Sequence, residues 1–240
     1  MPKPKVVPGA SCLVPGASCL VPGALVLVIF VVAASATFAQ SAEKLPLYAI
    51  DIHAATVGVP QAEGWVPVVS SDTVLPGRNW GVVAGGTVYP FRLGIVTFGI
   101  GAALTTVKGK GESLTIVSGS GSSATTRITP IVRTGITSLA PQLSINFGRK
   151  LGWSYLSAGL GRSRVTSSAG AVGTTPAIVV PAAWNQALNF GGGAKWFMKE
   201  HIGASFDVRF VKLASRSATD TLPSAKRTQV WNISAGISIQ

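Results

Sequence analysis

The sequence is poor in the side chains that usually carry chemistry. Its 240 residues include two cysteines, two histidines and eight acidic residues. Cys12 and Cys19 both precede residue 24, in what reads below as a removable leader. The rest of the chain then has no disulfide, no thiolate nucleophile and no cysteine-based metal site. Neither His53 nor His201 stands at a spacing that suggests an acid–base pair, and His53 with Asp51 alone is no metal site. A lipid-modifying membrane enzyme would need a histidine paired with a serine or an acid near the lipid boundary, and residue order shows no such pair. The expectation is therefore a protein that is not an enzyme, with no catalytic residue, no metal and no cofactor.

Charge is also scarce, at 12% of residues, and of one sign, with 20 Lys and Arg giving a formal net charge of +12. Low charge with ample aromatic and β-branched residues excludes a disordered chain. A basic chain suggests nucleic acid, but these cations do not cluster as a nucleic-acid footprint would, so no nucleic-acid partner is expected. Arg92, Arg149, Lys150 and Lys199 fall in short connections. Lys108, Lys110, Arg127, Arg133, Arg164, Arg216, Lys226 and Arg227 fall in or near long ones. Two belts of cations flanking an apolar band suit anionic lipid headgroups and lipopolysaccharide phosphates. Glycine groups at Gly99-Ile100-Gly101 and Gly191-Gly192-Gly193 lack the helix and the Lys-Ser/Thr of a phosphate loop. Glycine on an inner strand face fits close packing better.

Long apolar runs are missing too. Only residues 24–36, ALVLVIFVVAASA, form one, and 13 residues fall short of the roughly 20 that a spanning helix needs. With Lys3 and Lys5 before it and small residues up to Ala39 after it, this run reads as a signal peptide over residues 1–39, cut before Gln40. The leader carries VPGASCL copies at a seven-residue period. Proline and glycine in every copy rule out a coiled coil. Gly16-Ala17-Ser18-Cys19 lacks the leucine of a lipoprotein cut site.

What the remainder does have is alternation. In the C-terminal TQVWNISAGISIQ, Trp231, Ile233, Ala235, Ile237 and Ile239 share one strand face, and Asn232, Ser234, Gly236, Ser238 and Gln240 share the other. Eight such segments occur, near 47–58, 79–90, 95–107, 136–148, 153–163, 184–198, 204–213 and 228–240. Three tight turns (near 90–94, 148–152 and 199–203) alternate with four long connections (59–78, 108–135, 164–183 and 214–227). Large apolar residues such as Phe98, Leu143, Leu156, Phe206 and Phe210 share one face; Gly, Ser, Thr and Asn with a few charges share the other. Pro141 falls on the apolar face and should mark a bulge or a weak point in pairing.

This layout predicts an all-β fold: a closed, eight-stranded, antiparallel, up-and-down transmembrane β-barrel over 40–240. Long loops would face outward from a bacterial outer membrane and short turns would face the periplasm. A soluble lipocalin-like ligand binder in the periplasm is the structural rival, but it would put its large apolar residues inside. Four charges, Asp51, Lys195, Asp207 and Arg209, point to the lumen by parity, with Lys195 diagonal to Asp207 and Asp51 within reach. They read as a network that plugs the barrel or, alternatively, gates a narrow channel for ions or small solutes. The loops are expected to carry a structural or surface-interaction role.

The segments LAPQLSINFGRKLGWSYLSAGLGRS (139–163) and LNFGGGAKWFMKEHIGASFDVRF (188–210) resemble the OmpA- and OmpX-like eight-stranded outer-membrane barrels. The resemblance implies a monomer delivered by periplasmic chaperones to a barrel-insertion machine. That family usually ends in an aromatic residue, whereas this chain ends in Ile239-Gln240, and no peptidoglycan-binding domain follows the barrel.

Overall fold

A computed structural model describes residues 45–60, 62, 64–67, 74–118, 125–173, 176–218 and 223–240. The expected leader, with its VPGASCL copies, lies outside the described residues. Among the described residues there are eleven strands: β1 (Tyr48–Gly58), β2 (Arg78–Leu93), β3 (Val96–Lys110), β4 (Thr115–Ser118), β5 (Thr125–Ile128), β6 (Val132–Arg149), β7 (Gly152–Ala169), β8 (Ile178–Val180), β9 (Trp184–Phe197), β10 (Ile202–Leu213) and β11 (Thr228–Ile239). Eight of them form a closed ring in the order β1-β2-β3-β6-β7-β9-β10-β11, with β11 pairing back to β1. Every pairing in the ring is antiparallel, and all but the closing β1–β11 pair join ring strands that follow one another along the chain. The fold is the expected closed, eight-stranded, up-and-down barrel.

Parity sets the faces as read. Ile50, Ile52, Phe98, Ile100, Leu143, Leu156 and Ile237 are exposed on the outside, while His53, Thr97, Ser144, Ser157 and Ser238 are buried inside. Phe206 and Val208 alternate with buried Ser205, Asp207 and Arg209 and face outward. Phe210 stacks on Phe190 there, with ring centroids 5.5 Å apart. A lipocalin-like arrangement would turn the Leu, Ile and Phe of the mid-wall inward, and here they face outward, with polar side chains filling the mid-lumen.

Several boundaries differ from the sequence reading, each for a local reason. The first tight turn contains only Gly94 and Ile95, because β2 continues through Pro90 to Leu93. A register shift between Val88 and Phe91 absorbs Pro90 as a bulge, and Gly94 takes φ 61° at the turn, a conformation a Cβ disfavours. The connection 108–135 is shorter than expected. β3 runs on to Lys110, β6 starts at Val132, and β4 and β5 pair as a separate hairpin between them. In the connection after 163, β7 continues to Ala169 and gains β8 as a partner.

Pro141 behaves as a weak point without a bulge. β6–β7 pairing stops at Leu139↔Arg162 and resumes at Leu143↔Ala158 with the register unchanged, while Pro141 stays paired with Ala102 on the other side. The missing N–H removes one rung of the β6–β7 ladder. Gly159 and Gly161 face this gap, and a Cβ on either would run into the β6 carbonyls of Pro141 or Leu139.

Candidate functional site

The interior is filled in three layers, taken here from the short-turn end toward the long-loop end. The first is aromatic. Trp153 stacks on Phe197 at 5.0 Å between centroids, and Tyr89 meets Trp153 edge-on at 5.9 Å. Ala49 and Tyr155 complete that cluster.

The second layer holds the four charges singled out from parity. All four lie in the lumen, but as two pairs. Lys195 Nζ contacts the Asp51 carboxylate at 2.6 Å to Oδ1 and 2.5 Å to Oδ2, and the Ser238 hydroxyl donates to the same Oδ1. Arg209 Nη2 donates to Asp207 Oδ2 at 2.9 Å, and its Nε lies 2.7 Å from Oδ1 as an ionic contact that is not an aligned hydrogen bond. The predicted diagonal approach of Lys195 to Asp207 is replaced by the Lys195–Asp51 pair, since Asp207 is taken by Arg209 and by the Tyr155 hydroxyl. Gln142 Oε1 accepts from the Arg209 guanidinium. Lys195, Asp207 and Arg209 are 2%, 3% and 6% exposed, so each charge depends on these partners and not on bulk water.

Glycines on the inner face make the layer possible. His53 and Ser205 flank Gly236 in the register, and the His53 ring lies across that glycine to bring Nε2 within 2.6 Å of Ser205 Oγ. Its Nδ1 lies 3.1 Å from Ser234 Oγ. Tyr155 crosses Gly193 in the same way to reach Asp207. A Cβ at Gly236 would stand 2.9 Å from the His53 ring, and one at Gly193 would stand 2.9 Å from the Tyr155 hydroxyl. A histidine–serine pair therefore exists that residue order does not show. It is inside the barrel, with both residues buried, and away from the lipid boundary. Its signal in the sequence was Gly236 between two inward polar residues, visible only once the register is known.

The third layer was missed. The loop-end half of the lumen carries an apolar cluster, with Val57, Val107, Ile136, Val165, Val211 and Val230 all buried and packed together, interleaved with buried Asn79, Thr134, Ser163 and Ser167. Val107, Ile136 and Val165 are direct cross-strand neighbours, as are Val211 and Val230. Trp65, from the connection after β1, caps this ring. Its Nε1 donates to the Lys226 carbonyl at 2.7 Å, and the Arg216 guanidinium lies 5.4 Å from its ring.

Chemically, the lumen is a packed core. The cavity that remains among Asp51, Gln142, Tyr155, Lys195 and Arg209 is about 20 Å3, room for about one water. Among the described residues there is no group of three or more His, Cys, Asp or Glu placed to hold a metal ion.

No family model and no curated protein matches the chain. Solved structures with a similar outline include Neisserial surface protein A, at 11% identity over 81% of this chain and 97% of that one, TM-score 0.47. The attachment invasion locus protein Ail of Yersinia pestis gives 11% identity over 80% and 97%, TM-score 0.41. The outer membrane protease OmpT of Escherichia coli gives 8% over 79% and 78%, TM-score 0.41. Likeness this distant transfers no residue role. The chain's own geometry defines its class: a closed ring of eight antiparallel strands, apolar outside and polar at mid-lumen, is the construction of a membrane-spanning barrel.

Proposed function

We propose that this protein is a bacterial outer-membrane barrel whose lumen is a closed structural core and whose interactions are made at the loop end. The observation that carries this is the filled lumen: an aromatic layer, two buried ion pairs and an apolar ring under Trp65 follow one another along its axis. An exposed belt of Leu, Ile and Phe around the whole ring is unfavourable in water and favourable in lipid. Ring closure leaves no free strand edge in the barrel, which supports a monomer. Delivery by periplasmic chaperones to a barrel-insertion machine goes with this location, as does contact with outer-leaflet lipid and lipopolysaccharide.

The rival reading, a narrow channel, needs a continuous water path. What supports closure instead is the apolar ring, which resists wetting, directly above the charged layer. The test is planar-bilayer recording of the purified barrel. The expected result is no steady conductance; steady conductance that changes with Asp207→Asn or Arg209→Gln would sink the closed-core reading in favour of the channel.

A further inference from the structure

A groove of about 720 Å3 lies on the outer surface of β6, β7, β9 and β10, near the loop end. Its floor is apolar. Leu139, Leu160 and Leu188 line it, and all three are exposed. Arg162, Lys212 and Arg227 line the same groove, and no carboxylate does. The register explains the combination. Arg162 is the cross-strand partner of Leu139, and Leu188 stands between Leu160 and Lys212. Lys212 also leans over the Phe190 ring, with Nζ 5.4 Å from its centroid. The groove borders the β6–β7 gap left by Pro141, another of its lining residues.

The two parts ask for different things. The leucines want an acyl chain. The cations, with no acid among them, want anionic oxygen. A soluble polyanion would satisfy the cations and leave the leucines bare; a neutral lipid would do the reverse. A lipid with phosphates on its headgroup satisfies both at once. We propose that this groove docks a phosphorylated glycolipid of the outer leaflet, of the lipid A kind, with acyl chain along Leu139, Leu160 and Leu188 and phosphates at Arg162, Lys212 and Arg227. The inference rests on the membrane reading above.

A second groove supplies the control. It holds about 580 Å3 and is lined by Lys108, Lys110, Arg133 and Arg164 beside Thr166, with the shorter Val179, Val180, Pro181 and Ala182 where the first groove has its leucines. Lys110 and Arg133 are direct cross-strand partners. If charge alone attracts the lipid, this groove should matter as much as the first.

Lipid A would be titrated into the detergent-solubilised barrel and adducts counted by native mass spectrometry. The triple variant R162Q/K212Q/R227Q should bind at least about tenfold more weakly, since one hydrogen bond from a charged side chain to a phosphate seated in the groove is worth roughly tenfold or more. The control K108Q/K110Q/R133Q should lose less than about threefold. Equal losses in both, or wild-type binding by R162Q/K212Q/R227Q, overturn the site. So does displacement of lipid A by inorganic phosphate alone, which would mean that the leucine floor contributes nothing. Heat-modifiable gel migration shows that each variant is folded. Wild-type protein in the soluble fraction would sink the membrane reading itself, whereas a membrane-bound, heat-modifiable barrel with undiminished variant binding would sink only the lipid site.

Discussion

The two halves of the barrel wall are built to opposite rules. In the half toward the short turns, leucine, isoleucine and phenylalanine face out, while the charged layer and, nearest the turns, the aromatic cluster of Trp153, Phe197 and Tyr89 face in. In the half toward the long loops, Lys108, Lys110, Arg133, Arg162, Arg164 and Lys212 face out, and the valine–isoleucine ring faces in. The change can be followed within single strands. On β3, outward Leu104 gives way to inward Val107. On β6, inward Ile136 precedes outward Leu139. On β10, outward Phe210 is followed at once by inward Val211. The backbone and its register continue across the change; only the medium outside differs. Where lipid surrounds the wall, oily groups belong outside. Where water surrounds it, the ordinary rule for a small soluble barrel returns.

The comparison breaks first at its most costly point, the buried charges. Arg209→Ala strands Asp207 in the lumen and should destabilise the fold by about 3–5 kcal/mol. Arg216→Ala removes a hydrogen bond of 3.2 Å to the Pro223 carbonyl and the contact with Trp65 near the loop end, and should cost only about 1 kcal/mol. The temperature at which the folded gel band disappears measures both. Small and equal shifts would mean that lumen water solvates Asp207 and that the core is not closed.

A charge placed on the outer face tests the wall directly. Leu143 is 65% exposed in the middle of the apolar belt, paired with Ile100 and Ala158. Leu143→Arg should cost about 2–4 kcal/mol if that surface lies in the bilayer core. Thr166→Arg makes the same kind of change on the outer face of the other half and should cost about 0–1 kcal/mol. Urea unfolding in lipid vesicles compares the two. Equal costs would place both residues in the same medium and erase the distinction between the halves.

The same inversion explains how much was legible in the sequence. Strand number, connection order and the outward face of the lower half followed from period-2 alternation, because lipid outside gives that half a consistent sign. The upper half was hidden because the sign flips mid-strand. Apolar residues change parity between Ile136 and Leu139, so alternation sets the spanning part of β6 near 136 and gives 126–137 only as an extension of the strand above the membrane; β6 does extend, from Val132. Trp65 gave no warning either, since a lone tryptophan in a long connection has no period to place it. In the charged layer, parity put Asp51, Lys195, Asp207 and Arg209 inside, yet pairing depended on Tyr155 and Gln142, which lie far off in the chain. The reach of His53 to Ser205 depended on Gly236 having no side chain. Such choices among inward groups are set by three-dimensional spacing across the lumen, which alternation does not encode.

The smallest expected effect lies near the junction of the halves, at Pro141. The residue faces outward and stays in register with Ala102, but its side of the β6–β7 ladder is unpaired for three residues, from Ala140 to Gln142. A residue with an N–H and a β-branched side chain can restore a rung without changing parity. Pro141→Val should therefore raise stability by about 0.5–1.5 kcal/mol, the usual net worth of one such hydrogen bond. The gain should appear as a higher urea midpoint with an unchanged slope, since the surface exposed on unfolding is the same. Hydrogen exchange should slow in the facing segment around Leu160. Unchanged midpoint and exchange would mean that the gap is set by the backbone path of β7 through Gly159 and Gly161, where a Cβ would meet the Pro141 and Leu139 carbonyls, and not by the missing donor. The seam between the two halves would then be set by backbone packing, and the proline would be its marker rather than its cause.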